Sequence, residues 1–181
     1  MTKQVDRQFI LTPPDQRALC QTVQRLNGKR FRWAYLGQSI VEFLRAKKNF
    51  DNWGQYIDTA DDFQRTGEEL RSEYLTFLYS IGQEINTLKW WITSLAHRNG
   101  AIDKTFHRAC YLKVALGLIV NCGDLGPLVL VTDHTTARAI QANISKKTEP
   151  TIHLQGYPRT SWLTRYSNAI KMGAHRTYYI F

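Results

Sequence analysis

Hydrophobic and polar positions alternate along the chain in two different rhythms, one typical of strands and one of helices. In residues 31–36 every second position is aromatic, which predicts a β-strand. Ser39 then stands where the N-cap of a following helix is expected. Upstream, the segment PPDQRALCQTVQRLNG predicts a short helix that stops at Asn27 and Gly28.

The middle of the chain has helical spacing. Thr66 is followed three residues later by Glu69, the signature of a capping box, and apolar residues recur at helical intervals as far as Ile85. The sequence therefore predicts a helix that begins near Thr66. A further helix is expected after Asp103, with Val114 among its apolar positions.

Two adjacent tryptophans lie in the segment LKWWITSLAHRNG, residues 88–100. Its pattern predicts a helix in which Trp91 lies on the apolar stripe, while Trp90 lies about 100° further round. We therefore expect Trp91 to be buried and Trp90 to be more exposed and available to a ligand.

The second half of the chain changes to strand, helix, strand. PLVLVTD is a continuous apolar run, HTTARAIQANISKK is amphipathic, and TIHLQG has strand character. Such a βαβ unit favours a parallel sheet. The sequence therefore predicts a single α/β domain over residues 1–181, Rossmann-like, with a mainly parallel sheet flanked by helices and a helical insertion in the first half.

Composition narrows the class of protein. The longest apolar run, residues 114–120, is too short to span a bilayer. The three cysteines form no C-x-x-C pair, so neither a disulfide framework nor a zinc knuckle is indicated, and a reducing, cytoplasmic compartment is expected. The net charge of +9 favours polyanionic partners, either nucleic acid or an anionic membrane surface, although a solvated basic surface is the more common explanation of such a charge.

Candidate chemistry follows the strands, because ligands of open parallel sheets bind beyond the carboxyl ends of the strands. Gly37 and Ser39 follow the first predicted strand, and Asp133, His134 and Thr135 follow the second. The Asp133 and His134 pair is a candidate general base, and the alternative is that Asp133 caps the next helix. The spacing gives no phosphate loop, metal cluster or G-x-S-x-G motif, so no metal or cofactor is expected.

The order of these segments resembles a family of surface-carbohydrate (O-antigen type) biosynthesis proteins. The resemblance covers about residues 70–145 and rests on a W-W-x-T/S-S-L-A-x-x-N signature followed by a helix, a strand and an aspartate before a helix. It marks Asp133 as the position after the strand. The signature positions are Trp90, Trp91, Ser94 and Asn99.

The resemblance implies a glycosyltransferase of the two-Rossmann-domain kind, in which the first domain receives the acceptor and the second binds the sugar nucleotide. It implies that this chain is the acceptor-side domain in cell-surface polysaccharide biosynthesis, with Trp90, Ser94 and Asn99 near the ligand. At 181 residues we expect no second such domain, and therefore an incomplete enzyme. A peripheral position at the inner membrane also follows as an expectation. The alternative is a non-enzymatic basic module that binds nucleic acid or an anionic membrane surface.

Overall fold

A computed structural model describes residues 8–85, 87, 104–121, 126–144 and 151–157 of the chain. These residues form five strands and five helices. In chain order they are β1 (Gln8–Thr12), α1 (Gln16–Leu26), β2 (Phe31–Leu36), α2 (Ile40–Phe50), β3 (Gly54–Tyr56), α3 (Ala60–Ile85), α4 (Thr105–Asn121), β4 (Leu128–Thr132), α5 (His134–Ile144) and β5 (Thr151–Leu154).

The five strands form one parallel sheet with the order β3-β2-β4-β1-β5. The predicted strands at 31–36, 128–132 and 151–155 therefore lie in one sheet, and the last of them ends one residue early. The fold is α/β and Rossmann-like, as the sequence predicts. The pattern did not reveal β1 and β3, although β1 lies between β4 and β5 near the middle of the sheet.

Two hydrophobic cores cover the two faces of this sheet, because successive side chains of a strand point to opposite sides. On the first face, Trp33 and Val129 pack with residues of α1 and α2, such as Leu19 and Phe50. On the second face, strand residues such as Ala34 and Leu130 pack with residues of α4 and α5, such as Ala115 and Ile140. The helices that follow β2 and β4 thus lie on opposite faces.

The first face is rich in aromatic rings. The ring of Trp33, which is fully buried, lies 4.8 Å from Tyr56 and 5.4 Å from Phe50 between centroids. Tilted and edge-on pairs at such distances add to the free energy gained from burial. This packing holds α2 against the sheet and fixes where the loop before it emerges.

The start of α3 corrects one prediction. The helix begins at Ala60, whose N–H donates to Asp58 Oδ1 at 3.0 Å, and not at Thr66. Thr66 lies inside the helix with only 6% of its surface exposed, because its side chain packs inward. A capping-box spacing inside a continuous helix has no capping role. The long α3 is nevertheless the expected helical insertion.

Other local predictions are confirmed. Asn27 ends α1 in the left-handed region with a φ of 45°, and Ser39 caps α2 by accepting from the N–H of Glu42 at 3.3 Å. Predictions for Trp90, Trp91, Ser94 and Asn99 lie outside the described residues. No helix within the described part of the chain is long and apolar enough to cross a bilayer.

Candidate functional site

A cleft of about 170 Å³ lies at the carboxyl edge of the sheet. It opens where β2 and β4 are neighbours, because their following helices leave to opposite faces and the two loops part. Its lining comes from the ends of β2 and β4, from the loops after β1, β2 and β4, and from the first turns of α2 and α4. It comprises Pro14, Tyr35, Leu36, Gly37, Gln38, Ser39, Glu42, Lys104, His107, Arg108, Tyr111, Thr132 and Asp133.

Asp133 is the most heavily hydrogen-bonded group of the cleft. Its Oδ1 accepts from the N–H groups of Thr135 at 2.8 Å and Thr136 at 2.9 Å, so it caps α5. Its Oδ2 accepts from Arg108 Nε at 3.1 Å. Burial acts to raise the pKa of Asp133, but the hydrogen bonds from Thr136 and Arg108 outweigh it and lower the pKa. The group is therefore a fixed carboxylate.

The loop after β2 is held by two tyrosines. Tyr35 OH donates to Glu42 Oε2 at 2.9 Å and accepts from the Ser39 N–H at 3.1 Å. Tyr111 OH donates to the carbonyl oxygen of Gly37 at 2.8 Å. Burial raises the pKa of Tyr35 above its ordinary value and that of Tyr111 to about 12, so both hydroxyls remain protonated donors.

The same cleft continues towards β3 as a shallower groove of about 290 Å³. Tyr35, Gly37, Gln38, Ser39 and Tyr111 line both parts. The continuation adds Ile40, Phe43, Tyr56, Asp58, Thr59, Ala60 and Phe63. We call the part around Asp133 and Arg108 the polar end, and the part around Tyr56 and Phe63 the aromatic end.

The charges that line the cleft include no surplus of cations. Lys104 and Arg108 are balanced by Glu42 and Asp133 at the polar end, and the aromatic end adds the carboxylate of Asp58. A site without surplus cations suits a neutral polar ligand better than a phosphate. Among the described residues no group of three or more His, Cys, Asp and Glu side chains could hold a metal ion.

The structure brings together some of the site residues that the sequence predicted. Gly37, Ser39 and Asp133 line the cleft. His134 and Thr135 do not belong to the lining: the His134 ring lies 5.6 Å from that of Tyr157, and Thr135 contributes its N–H to the cap. The catalytic role of Asp133 and His134 stays a prediction, and the alternative role of Asp133 as a helix cap is what the geometry shows.

Sequence reasoning did not find the contribution of α4. Lys104, His107, Arg108 and Tyr111 recur at intervals of three, four and seven residues, so they share one helical face. That polar stripe beside the apolar one was the available signal. His107 stacks on Phe63 with ring centroids 5.9 Å apart, and its Nδ1 is buried without a hydrogen-bond partner among the residues described.

Comparisons with known proteins do not identify the chain. No family model matches it, and neither a curated protein nor a solved structure does. The geometry of the cleft and the resemblance in sequence are therefore the grounds for a functional proposal.

Proposed function

We propose that the chain binds a carbohydrate acceptor in the cleft at the carboxyl edge of its sheet, as the acceptor-side domain of a glycosyltransferase-like protein in cell-surface polysaccharide biosynthesis. The observation that carries the proposal is the joining of the polar end and the aromatic end in one cleft. A pyranose presents hydroxyl groups at its rim and apolar C–H groups on its faces, and such a cleft offers partners to both.

The polar end supplies fixed hydrogen-bonding groups. The Asp133 carboxylate and the Arg108 guanidinium hold each other at 3.1 Å, and both side chains remain partly exposed, at 45% and 38%. Their ion pair contributes at most about 1 kcal/mol to stability at that exposure. The ion pair does fix the positions of the carboxylate, a hydrogen-bond acceptor, and of the guanidinium, a donor, before a ligand arrives. This lowers the entropy cost of binding.

The aromatic end supplies ring faces. Tyr56 is 38% exposed and packs on Phe43 with centroids 5.4 Å apart, and Phe63 lies 4.7 Å from Tyr111. These rings are supported from behind, Tyr56 by Trp33 on the first face of the sheet and Phe63 by Tyr111 on the second. A sugar can therefore stack on these rings without first ordering them, so little of the binding free energy is lost to side-chain entropy.

A titration with methyl hexopyranosides and N-acetylhexosamines, followed by amide chemical shifts, tests the proposal. Gln38 is exposed, lines both ends, and makes no hydrogen bond to another described residue. Gln38→Ala should therefore leave the fold intact and weaken sugar binding about two- to tenfold, the effect of one lost hydrogen bond.

Gln55→Ala is the matched control, because Gln55 is exposed on β3 and lines a cavity at the other edge of the sheet. It should leave sugar affinity unchanged. Raising the salt concentration should also change the affinity little, whereas binding of an oligonucleotide would weaken steeply. Absence of sugar-induced shifts around the cleft, or shifts that Gln38→Ala does not alter, would refute the proposal.

A further inference from the structure

The outward face of α2 carries an unusual amount of apolar surface. Ile40, Val41 and Leu44 are 65%, 62% and 54% exposed, although they belong to a well-packed helix. The opposite side of the helix packs into the first face of the sheet through Phe43, Ala46 and Phe50. These three aliphatic side chains are therefore not part of the core, and they lie together in the first half of α2.

The second half of the same outward face is cationic. Arg45, Lys47 and Lys48 are all exposed, and at 100° per residue they lie on or within about 40° of the arc that Ile40, Val41 and Leu44 occupy. Arg45 also donates from Nη1 to the carbonyl oxygen of Pro14 at 3.0 Å. Glu42 is the acidic residue of α2, and it is engaged by Tyr35 on the cleft side. The outward face thus combines bulky aliphatic groups with three cations, and the exposed carboxylate of Asp51 follows at the C-terminal end of the same side. We call the six residues the outward face of α2.

We propose that the outward face of α2 docks on an anionic lipid surface. A helix that lies in a bilayer interface inserts aliphatic side chains among the acyl chains and places lysine and arginine at the level of the headgroup phosphates. The charge of the face is complementary to anionic headgroups. Its apolar half is too small for a stable protein interface, which buries about 800 Å² on each partner.

The position of this face relates it to the cleft. Ile40 belongs to the outward face of α2 and also lines the aromatic end of the cleft. A chain docked through α2 would hold the aromatic end beside the lipid headgroups. Docking does not depend on sugar binding, because the cations and most of the aliphatic groups lie outside the cleft.

Sedimentation with vesicles tests the proposal, with phosphatidylcholine alone compared with equimolar phosphatidylcholine and phosphatidylglycerol. We expect binding to the anionic vesicles at least about tenfold stronger than to the neutral ones. Val41→Gln/Leu44→Gln should weaken that binding about tenfold or more. Lys47→Gln/Lys48→Gln should weaken it about 25-fold, at about fivefold for each cation. Added salt should also weaken the binding.

Matched controls lie on α3, which packs against α4 on the second face of the sheet. Leu75→Gln/Phe77→Gln removes aliphatic and aromatic groups of 39% and 52% exposure, and Arg65→Gln/Arg71→Gln removes two exposed cations. Both double variants should bind vesicles within about twofold of the unaltered chain. Circular dichroism should be unchanged in all four, because every altered side chain is on the surface.

Three outcomes would overturn the proposal. The first is no binding, or equal binding to both kinds of vesicle. The second is vesicle binding that Val41→Gln/Leu44→Gln leaves intact, which would assign the affinity to another basic surface. The third is a dimer in solution that Val41→Gln/Leu44→Gln dissociates, which would make the face an interface between two copies. Sugar binding measured without vesicles is scored separately and does not enter these outcomes.

Discussion

The two edges of the sheet both carry cavities, and their sizes are similar. The cavity at the amino edge measures about 460 Å³, against about 170 Å³ for the polar end and about 290 Å³ for the aromatic end of the cleft at the carboxyl edge. Arg30, Asn52, Trp53 and Gln55 are among the residues that line the cavity at the amino edge. Within the described part of the chain, Arg30, Asn52 and Gln55 make no side-chain hydrogen bonds, whereas at the carboxyl edge Tyr35, Tyr111, Arg108 and Asp133 are all hydrogen-bonded.

The two edges therefore differ as binding sites in their hydrogen bonding and not in the size of their cavities. At the amino edge, a ligand would have to order flexible side chains, each at an entropic cost of about 0.5–1.5 kcal/mol. At the carboxyl edge, that cost is already met by folding, since the same hydrogen bonds that cap α5 and fix the loop after β2 orient the lining groups. The cleft at the carboxyl edge is therefore the better candidate for recognition.

Removing one aspartate at each edge gives the largest contrast. Asp133→Ala deletes the cap of α5 and leaves Arg108 without its partner, so the free energy of unfolding should fall by about 2–3 kcal/mol. Asp51→Ala should change it by less than about 0.5 kcal/mol, because Asp51 is exposed at the C-terminal end of α2, where the helix dipole disfavours a negative charge. Urea unfolding of both variants measures the difference.

If the free energy of unfolding fell by a similar amount in both aspartate variants, the hydrogen bonds of Asp133 would not stabilise the carboxyl edge more than the amino edge is stabilised. The comparison of the edges would then rest on cavity shape alone.

Glycine at position 37 tests how tightly the loop after β2 is packed. A Cβ at Gly37 would lie 2.5 Å from the hydroxyl oxygen of Tyr35, which is itself held by Glu42 and the Ser39 N–H. Gly37→Ala should therefore force the ring aside and cost about 1–2 kcal/mol. Gly67→Ala in α3 meets no atom within 4 Å and should gain about 0.5–1 kcal/mol from helix propensity.

Thermal unfolding of the two alanine variants should thus shift in opposite directions. If Gly37→Ala is as stable as the unaltered chain, the tyrosine is free to move, and the loop is less fixed than its hydrogen bonds indicate.

The fold could be predicted from sequence where a strand leaves a pattern. β2 alternates and β4 is a long apolar run, so both were identifiable, and the parallel sheet followed from the βαβ unit of β4, α5 and β5. β1 offers only three consecutive apolar residues, Phe9, Ile10 and Leu11, before a pair of prolines. β3 is an outermost strand of the sheet and has three residues, too few to show a period. Short strands of this kind are specified by their neighbours in space.

The candidate site could also be predicted in part. Gly37, Ser39 and Asp133 could be placed together because parallel strands end at one edge. The contribution of α4 could not be predicted. Arg108 lies 25 residues before Asp133 in the chain, and the two side chains meet only because α4 packs across the sheet. A polar stripe on a helix shows that one face is polar, but tertiary packing decides whether that face meets solvent or a cleft.

The smallest expected effect concerns the charge of Asp133 alone. Asp133→Asn keeps an oxygen that can cap α5 but removes the charge that Arg108 contacts, and both side chains are partly exposed, so the loss should be about 1 kcal/mol at neutral pH. The folded chain holds the pKa of Asp133 below its ordinary value of 3.8, so as the pH falls the unfolded chain takes up the proton first. The stabilising contribution is therefore complete well above pH 3.8 and is lost as the pH falls through that value towards the folded pKa. Urea unfolding of both proteins across this range should show a constant difference in the free energy of unfolding near neutral pH, and that difference should close in acid. A difference that persists in acid would mean that the asparagine fails as a cap and that the charge of Asp133 is not what distinguishes this edge.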